Sequence, residues 1–375
     1  MKSIKKWVWQ HSDYPGFPYD FKKLDSILSE VIYNTGVLEG VISTLQKDDT
    51  TPMQIETVTN EIISSSLIEG EVLSRDSVRS SVHKKFDKSF ELSKDLSTHH
   101  TDGLVDILID SSSNHKPLTK ERLHGWHNAL FPNGYSGLVK IKVASYRSED
   151  MSIVSGQGIR EKTHYEAPQA RYIDMQMKNL LEYINTSTDN VYIKSAIAHL
   201  WFVIIHPYDD GNGRIARAVT NYVLSKGLRL DHNYFSISKA VMDDKKSYYE
   251  ILEKSNNLFF NKEYDFTRWI LWHTSMINKA LNFSLKQIDT IVQKAKFWDK
   301  ARGVALNDKQ IKVLNKLLDA PNGKFEGGLN NKKYRSITGT TNVTASRHIQ
   351  DLVEKGLLKV VEGYGGRSTR YEILY

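Results

Sequence analysis

The segment from His206 to Arg217, His-Pro-Tyr-Asp-Asp-Gly-Asn-Gly-Arg-Ile-Ala-Arg, combines residue types that bind phosphate. Gly211 and Gly213 let the backbone turn sharply and approach a ligand closely. A helix is predicted to begin directly after this turn, and the N–H groups and positive dipole end of a helix N-terminus form an anion site. Arg214 and Arg217 are three residues apart, so both project from one face of that helix and can bind phosphate oxygens.

Three more side chains of this segment complete a candidate site for phosphate chemistry. His206 has an ordinary pKa that suits a general base near neutral pH. Asp210 places a carboxylate beside the phosphates, where Mg²⁺ would bridge. Asn212 lies between the two glycines and is assigned to the same anion-binding turn. Together they predict an anion site, a metal ligand and a base within one short segment.

Two other interpretations of these residues compete with this one. Residues 211–216 formally match the dinucleotide-binding fingerprint, with Asp231 at a suitable distance, but that fingerprint directly follows a strand, and Pro207 interrupts here. The histidine pairs at 199/206 and 124/127 could bind a metal, but pairs that lack further ligands at matching spacing usually pack or face solvent.

The segment resembles the signature of the Fic family, His-Pro-Phe-x-Asp/Glu-Gly-Asn-Gly-Arg-x-x-Arg, with Tyr208 in place of the usual Phe. The resemblance extends over residues 118–270, through Leu123–Phe131, Tyr146–Arg147, Pro168, Ala198–His199 and Tyr248–Tyr249. It implies a small all-α catalytic domain with a β-hairpin flap at about 151–165 that holds a target segment by strand addition.

The resemblance also implies an activity, that of a protein adenylyltransferase. ATP would lie with its phosphates on residues 211–217, and His206 would take the proton from a Ser, Thr or Tyr hydroxyl of a target protein or of the enzyme itself. That oxygen would attack the α-phosphate, with Mg²⁺ held through Asp210. Asp244 stands where many relatives place an Asn beside the nucleotide. The family also transfers UMP, phosphate and phosphocholine, but the arginine pair favours a nucleoside triphosphate.

A second motif lies N-terminal to this domain. Thr51, Pro52 and Gln54 predict the start of a helix through a capping box, and Gly70 predicts its end. Ser65-Ser-Leu-Ile-Glu69-Gly70 resembles the family's inhibitory motif, Ser/Thr-x-x-x-Glu-Gly/Asn.

The carboxylate of this second motif suggests how inhibition would work. Glu69 can pair with Arg217, which denies that arginine to the γ-phosphate and places negative charge where phosphate must bind. Some relatives use this Glu to remove AMP, and the sequence leaves that alternative open.

Residues 301–375 resemble a winged helix and carry 13 Lys/Arg and 7 Asp/Glu, so +6 of the net charge of +7 lies there. DNA binding is one prediction, and dimerisation or target docking is the other. The alternative function for the whole chain is a DNA-binding transcriptional regulator with a nucleotide-sensing Fic domain. The candidate DNA contacts are Thr344, Ser346, Arg347 and Gln350 on the recognition helix, and Arg367 and Arg370 on the wing.

The chain of 375 residues is 40% hydrophobic and 25% charged, which is typical of folded domains. It has no cysteine, which excludes disulfides and thiolate chemistry and fits a cytoplasmic protein. The most apolar window, residues 196–205, is shorter than the roughly 20 residues needed to cross a bilayer. A mainly α fold is expected, with an N-terminal helical domain (1–117), the catalytic domain (118–270), a linker helix (271–300) and a small α+β winged helix (301–375).

Overall fold

The structure is a computed structural model that describes residues 5–86, 91, 95–155, 162–228, 232–320, 325 and 327–375. The described residues are mainly helical, which confirms the predicted fold class. The chain divides into two compact units, Met1–Ser284 and Leu285–Tyr375. Among the described residues, no helix combines the length and apolar character needed to cross a bilayer.

The first unit contains ten complete helices among its described residues and the start of an eleventh. They are α1 (Phe21–Thr44), α2 (Lys47–Ile68), α3 (Arg75–Phe86), α4 (His99–Ser113), α5 (Lys120–Leu130), α6 (Ile173–Thr186), α7 (Val191–Ile205), α8 (Asn212–Gly227), α9 (Ile237–Met242), α10 (Lys245–Asn256) and α11 (Thr267–Lys300).

Helices α2 to α8 share one hydrophobic core. Val58 of α2, Leu104 of α4, Phe202 of α7 and Val219 of α8 are all buried in it. Full burial of each such side chain stabilises the fold by roughly 1.5–3 kcal/mol. Helix α2, which carries the predicted inhibitory motif, therefore shares its core with the helices on either side of the predicted phosphate-binding segment. The domain boundary at residue 117 stays a prediction.

The predicted start of α2 is wrong. The helix begins at Lys47, with Gln46 as N-cap, and Pro52 lies inside it rather than at its first position. Proline has a helical φ and removes only one backbone hydrogen bond near the N-terminus, so an additional turn forms before it. The predicted end is right, because Gly70 adopts φ 85° directly after the C-cap Glu69.

Two short hairpins lie between α5 and α6. Strand β1 (Tyr135–Ser136) pairs with β2 (Val139–Lys140), and β3 (Ser152–Ser155) pairs with β4 (Lys162–Glu166), both antiparallel. The second pair confirms the predicted hairpin, although residues 156–161 lie outside the described residues. Every described strand pairing is antiparallel and α8 follows another helix, so the dinucleotide-binding alternative is wrong; Asp231 lies outside the described residues.

The second unit holds the end of α11, then α12 (Asp308–Leu318), α13 (Asn331–Thr338), α14 (Asn342–Glu354), and strands β5 (Leu358–Val360) and β6 (Tyr371–Ile373). Its own core includes Leu314, Tyr334 and Ile349. The order of three helices and an antiparallel strand pair is the one predicted, and the winged-helix assignment stays a prediction.

The candidate DNA contacts of this unit differ in their exposure. Ser346, Arg347 and Gln350 are exposed on α14, and Thr344 is half-buried. Arg370 instead donates to the Gly327 carbonyl and stacks on Tyr364 at 4.7 Å, contacts it would have to leave to reach a phosphate. The side chain of Arg367 lies outside the described part of the chain.

Candidate active site

The turn after α7 holds His206 in a left-handed conformation, with φ 50° and ψ 60°, which is uncommon for a residue other than glycine. Arg147 is buried beside it and donates from Nε to the His206 carbonyl (2.8 Å), while its own backbone N–H donates to the Pro207 carbonyl (2.8 Å). Its other guanidinium nitrogens donate to the carbonyls of Glu149 (2.6 Å) and Pro168 (2.5 Å). One buried cation therefore ties this turn to both ends of the β3–β4 hairpin.

The imidazole of His206 is held in its neutral form. Burial lowers its pKa to about 4, so the ring is uncharged at pH 7. Its Nδ1 lies 3.3 Å from the Val203 carbonyl, and a neutral ring makes this contact only by donating from Nδ1. Nε2 then carries the lone pair that can accept a proton.

Gly211 is the N-cap of α8 and has φ 80°. A Cβ at this position would lie 2.6 Å from Leu130 Cδ2 and 2.8 Å from Phe131 Cε2, so a side chain does not fit. Asn212 is buried, and its side-chain amide donates to the Tyr208 carbonyl (2.7 Å) and accepts from the Tyr208 N–H (2.9 Å). Its side chain thus closes the turn, and its backbone N–H belongs to the first turn of α8, where helix N–H groups lack partners within the helix.

Tyr208 anchors the segment through its aromatic ring. His127 stacks on it at 4.2 Å, and His124 Nδ1 lies 3.1 Å from its hydroxyl. His127 Nε2 also lies 3.2 Å from the Asp210 carbonyl. Both histidines thus position the loop, and the part of the chain that the structure describes contains no cluster of three metal-ligating His, Asp or Glu residues.

Arg217 is almost fully buried and is bound by residues of the predicted inhibitory motif. Its Nη2 lies 2.8 Å from Glu69 Oε1, and it donates to the Ser65 hydroxyl (2.8 Å) and the Ser65 carbonyl (2.8 Å). The same carboxylate lies against Gly213, where a Cβ would come within 2.1 Å of Oε1. The Glu69 carboxylate therefore lies at the N-terminus of α8, at the predicted anion site.

Arg214 is bound by a residue that the sequence reasoning missed. Its Nη1 donates to Glu71 Oε2 at 2.7 Å, and the other carboxylate oxygen lies 2.7 Å from His100 Nε2. Arg214 also lies 5.1 Å from the centre of the Phe131 ring and 3.9 Å from Asp210 Oδ2. The sequence offered one feature that could have pointed to this pair, namely a second acid two residues after Glu69.

The end of α2 is locked in place by its backbone. Gly70 N–H donates to the Leu67 carbonyl (3.1 Å) and Glu71 N–H to the Ser66 carbonyl (2.9 Å), which is the hydrogen-bond pattern of a Schellman motif. The left-handed glycine turns the chain so that the side chains before and after it both reach α8.

Helix α10 also binds the end of α2. Lys245 Nζ donates to the Leu67 carbonyl (3.0 Å) and the Tyr249 hydroxyl to the Ile68 carbonyl (2.8 Å), which satisfies groups that a helix C-terminus leaves unpaired. Asp244, the predicted nucleotide contact, is the half-buried N-cap residue of α10, next to Lys245. The sequence did not predict that Lys245 and Tyr249 bind the C-terminus of α2.

Asp210, the predicted metal ligand, accepts the Gly211 N–H at 2.5 Å through Oδ1 and the Ser136 hydroxyl through Oδ2. Its side chain is 44% exposed, so the carboxylate is open to a ligand that binds at the end of α8.

A helix N-terminus, two largely covered arginine side chains and a neutral imidazole together form a candidate phosphate-binding site on a helical core. The Fic/DOC family model matches residues 117–224, and a domain of unknown function, DUF4172, matches residues 7–87. Residues 117–224 therefore carry a Fic domain, as the sequence motif predicted.

Named relatives match shorter parts of the chain. Protein adenylyltransferase fic-1 of Caenorhabditis elegans is 36% identical over 58 residues, which is 15% of this chain and 11% of that protein. A probable protein adenylyltransferase of Aquifex aeolicus (strain VF5) is 31% identical over 80 residues, 21% of this chain and 23% of that protein. The chain thus matches less than a quarter of the length of either relative.

Two solved structures share the fold. A Fic family protein from Desulfovibrio desulfuricans G20 has a TM-score of 0.56 at 18% identity, covering 96% of this chain and 98% of that one. A Fic domain-containing signalling protein from Bacteroides thetaiotaomicron VPI-5482 has a TM-score of 0.51 at 20% identity, covering 71% of this chain and 97% of that one. At these identities the likeness concerns the fold.

Proposed function

We propose that this protein transfers AMP from ATP to a Ser, Thr or Tyr hydroxyl of a protein target, and to itself. The observation that carries the proposal is the N-terminus of α8, where the Glu69 carboxylate pairs with the buried Arg217 and lies against Gly213, an anion in the place of a phosphate. The adenylyltransferase names of two relatives support the same activity.

The arginines have donors left for a triphosphate. Arg217 Nη1 and Arg214 Nε are buried and have no hydrogen-bond partner among the described residues. A buried unpaired donor is costly, so the site is more stable with an anion that accepts from these groups. When ATP replaces the carboxylates, its phosphate oxygens can accept hydrogen bonds from both guanidinium groups.

His206 performs the proton transfer in this proposal. Its Nε2 accepts the proton of the target hydroxyl while the oxygen attacks the α-phosphorus, and the bond to pyrophosphate breaks. The N–H groups of α8 and the arginines stabilise the charge that develops on the phosphate oxygens. Arg147 keeps the imidazole in place through the carbonyl of His206.

Asp210 fits a Mg²⁺ that arrives with the nucleotide. Mg²⁺ in phosphate sites commonly takes one or two carboxylates together with phosphate oxygens and water, so a single partly exposed carboxylate beside the anion site is a sufficient donor set. Bound there, Mg²⁺ would neutralise phosphate charge.

The β3–β4 hairpin is proposed to hold the target. Ile153 and Val154 are exposed on it, at 39% and 44%, and its base is tied through Arg147 to the turn that carries His206. An extended target segment that pairs with this two-stranded sheet would bring its hydroxyl toward the imidazole.

Glu69 is proposed to restrain the reaction. Its carboxylate pairs with Arg217 and lies over Gly213, so an ATP phosphate and this carboxylate compete for one place. ATP then binds well only when Glu69 has moved.

Intact-mass measurement tests the proposal. The purified chain and its Glu69→Gly variant are incubated with ATP and Mg²⁺, and the variant is expected to gain one or more AMP units faster than the parent. Addition of another group would contradict AMP transfer, and equal rates would contradict the restraint.

The second candidate function is DNA binding by the C-terminal unit. Ser346, Arg347 and Gln350 form an exposed polar face on α14 in a segment of net charge +6. A gel shift with duplex DNA at low and high salt checks this, with Arg347→Glu as the variant that should weaken binding. No binding at low salt would favour dimerisation or target docking.

A further inference from the structure

We propose that Glu71 is a second inhibitory carboxylate, which withholds Arg214 from the nucleotide as Glu69 withholds Arg217. This inference rests on the proposed function, since it concerns the regulation of that same site. It makes the inhibitory element a pair of acids on either side of Gly70, each bound to one arginine of the phosphate-binding segment.

The two ion pairs are matched in geometry. Glu71 Oε2 lies 2.7 Å from Arg214 Nη1, and Glu69 Oε1 lies 2.8 Å from Arg217 Nη2. The two arginine side chains are 10% and 5% exposed, and the two glutamate side chains 31% and 30%. Each largely covered cation is therefore neutralised by its own partly exposed acid.

The position of these acids is unfavourable without the arginines. Both lie at the C-terminus of α2, where the helix dipole is negative and repels carboxylates. They face the N-terminus of α8, where the dipole is positive and favours them. The two acids are therefore stabilised mainly by groups that a triphosphate would also use, so acids and nucleotide compete.

Glu71 is held from a second side. His100, at the start of α4, lies 2.7 Å from its other carboxylate oxygen. Although burial alone raises the pKa of Glu71, the hydrogen bond with His100 and the charge of Arg214 hold that pKa below its usual value. The carboxylate is therefore ionised at pH 7 and fixed between α4 and α8.

A consequence follows for variants at position 69. Removal of the Glu69 carboxylate frees Arg217 but leaves Arg214 bound to Glu71. The release is then incomplete, and removal of both charges should strengthen ATP binding beyond the effect of Glu69→Gly alone.

ATP binding by isothermal titration calorimetry tests this on the full chain, with AMP transfer measured beside it. The variants are Glu69→Gly, Glu71→Gln and the two combined. Since couplings between sites commonly amount to fivefold or more, we expect the combined variant to bind ATP at least about fivefold more tightly than Glu69→Gly. Equal or weaker binding would overturn the proposal, because Glu71 would then only position Arg214.

Two further variants keep the test decisive. Glu56→Gln removes an acid that pairs with Arg75 and also lies on α2, and it should leave ATP affinity unchanged. His100→Ala in the Glu69→Gly background removes the second hold on Glu71 without altering either acid–arginine pair. This variant should bind ATP more tightly than Glu69→Gly alone, but by less than the combined variant does. If Glu71→Gln does not fold, the His100→Ala variant decides the test, and an unchanged ATP affinity would contradict the proposal.

The readouts separate this inference from the proposed function. Tighter ATP binding by the combined variant without any AMP transfer would support the role of Glu71 and reject the transfer activity. AMP transfer by Glu69→Gly, with no further gain in ATP affinity when Glu71→Gln is added to it, would support the activity and reject the role of Glu71.

Discussion

The carboxylate of Glu69 lies 2.8 Å from Arg217 Nη2, across the first turn of α8, and comes so close to Gly213 that a Cβ there would require the carboxylate to shift. The two residues are 148 positions apart in the chain, so this contact exists only because α2 packs on α8 in one core. The structure thus pairs an arginine of α8 with an acid from a different element.

Replacement of His206 by alanine should remove AMP transfer. A general base typically contributes about 10²–10⁴-fold to rate, and loss of Nε2 removes the only base assigned here. The measurement is incorporation of label from α-phosphate-labelled ATP in the Glu69→Gly background. Binding of ATP should persist, and undiminished labelling would refute the assigned role.

The pH dependence of transfer should show a base with a low pKa. Burial places the pKa of His206 at about 4, and Arg147, Glu69 and Asp210 are the charged groups that act on it. The neutral ring is the active form, so kcat/KM should stay level through neutral pH and fall only as pH drops through about 4. A profile that falls near pH 6.5 would show that the ring titrates as an exposed histidine.

Gly211→Ala should destabilise the protein by about 2–4 kcal/mol, from the left-handed backbone and the overlap with Leu130 and Phe131. Gly125→Ala is the matched control, since it lies within helix α5 with open space around its Cα. That change should be neutral or stabilise by up to about 1 kcal/mol. Urea unfolding measures both, and similar effects would contradict the close packing at the turn.

Tyr249→Phe should weaken the restraint. It removes the hydrogen bond to the Ile68 carbonyl at the end of α2, a loss of roughly 0.5–1.5 kcal/mol, so AMP transfer should rise about two- to tenfold. Tyr183→Phe is the control, because its hydroxyl bonds to Asp189, outside the candidate site. If both variants transfer AMP at the parental rate, the hydroxyl of Tyr249 does not hold the inhibitory element.

Local sequence patterns predicted several features correctly. The glycines at 211 and 213 mark the start of α8, and Gly70 marks the end of α2, because a left-handed backbone and an open helix terminus depend on a few adjacent residues. The start of α2 was not predicted correctly, since Thr51 and Pro52 also fit inside a helix that continues one turn further.

By itself, the sequence determined the Fic signature segment and the helical class of the fold, and it predicted one inhibitory motif. Only the tertiary structure decided that Glu71 binds Arg214, that His100 and Tyr249 hold the end of α2, and that Asn212 closes a turn with its side chain. A motif depends on neighbours along one helix or turn, which spacing reveals. The partner of a buried charge comes from whichever element packs against it, and that choice is made by the core as a whole.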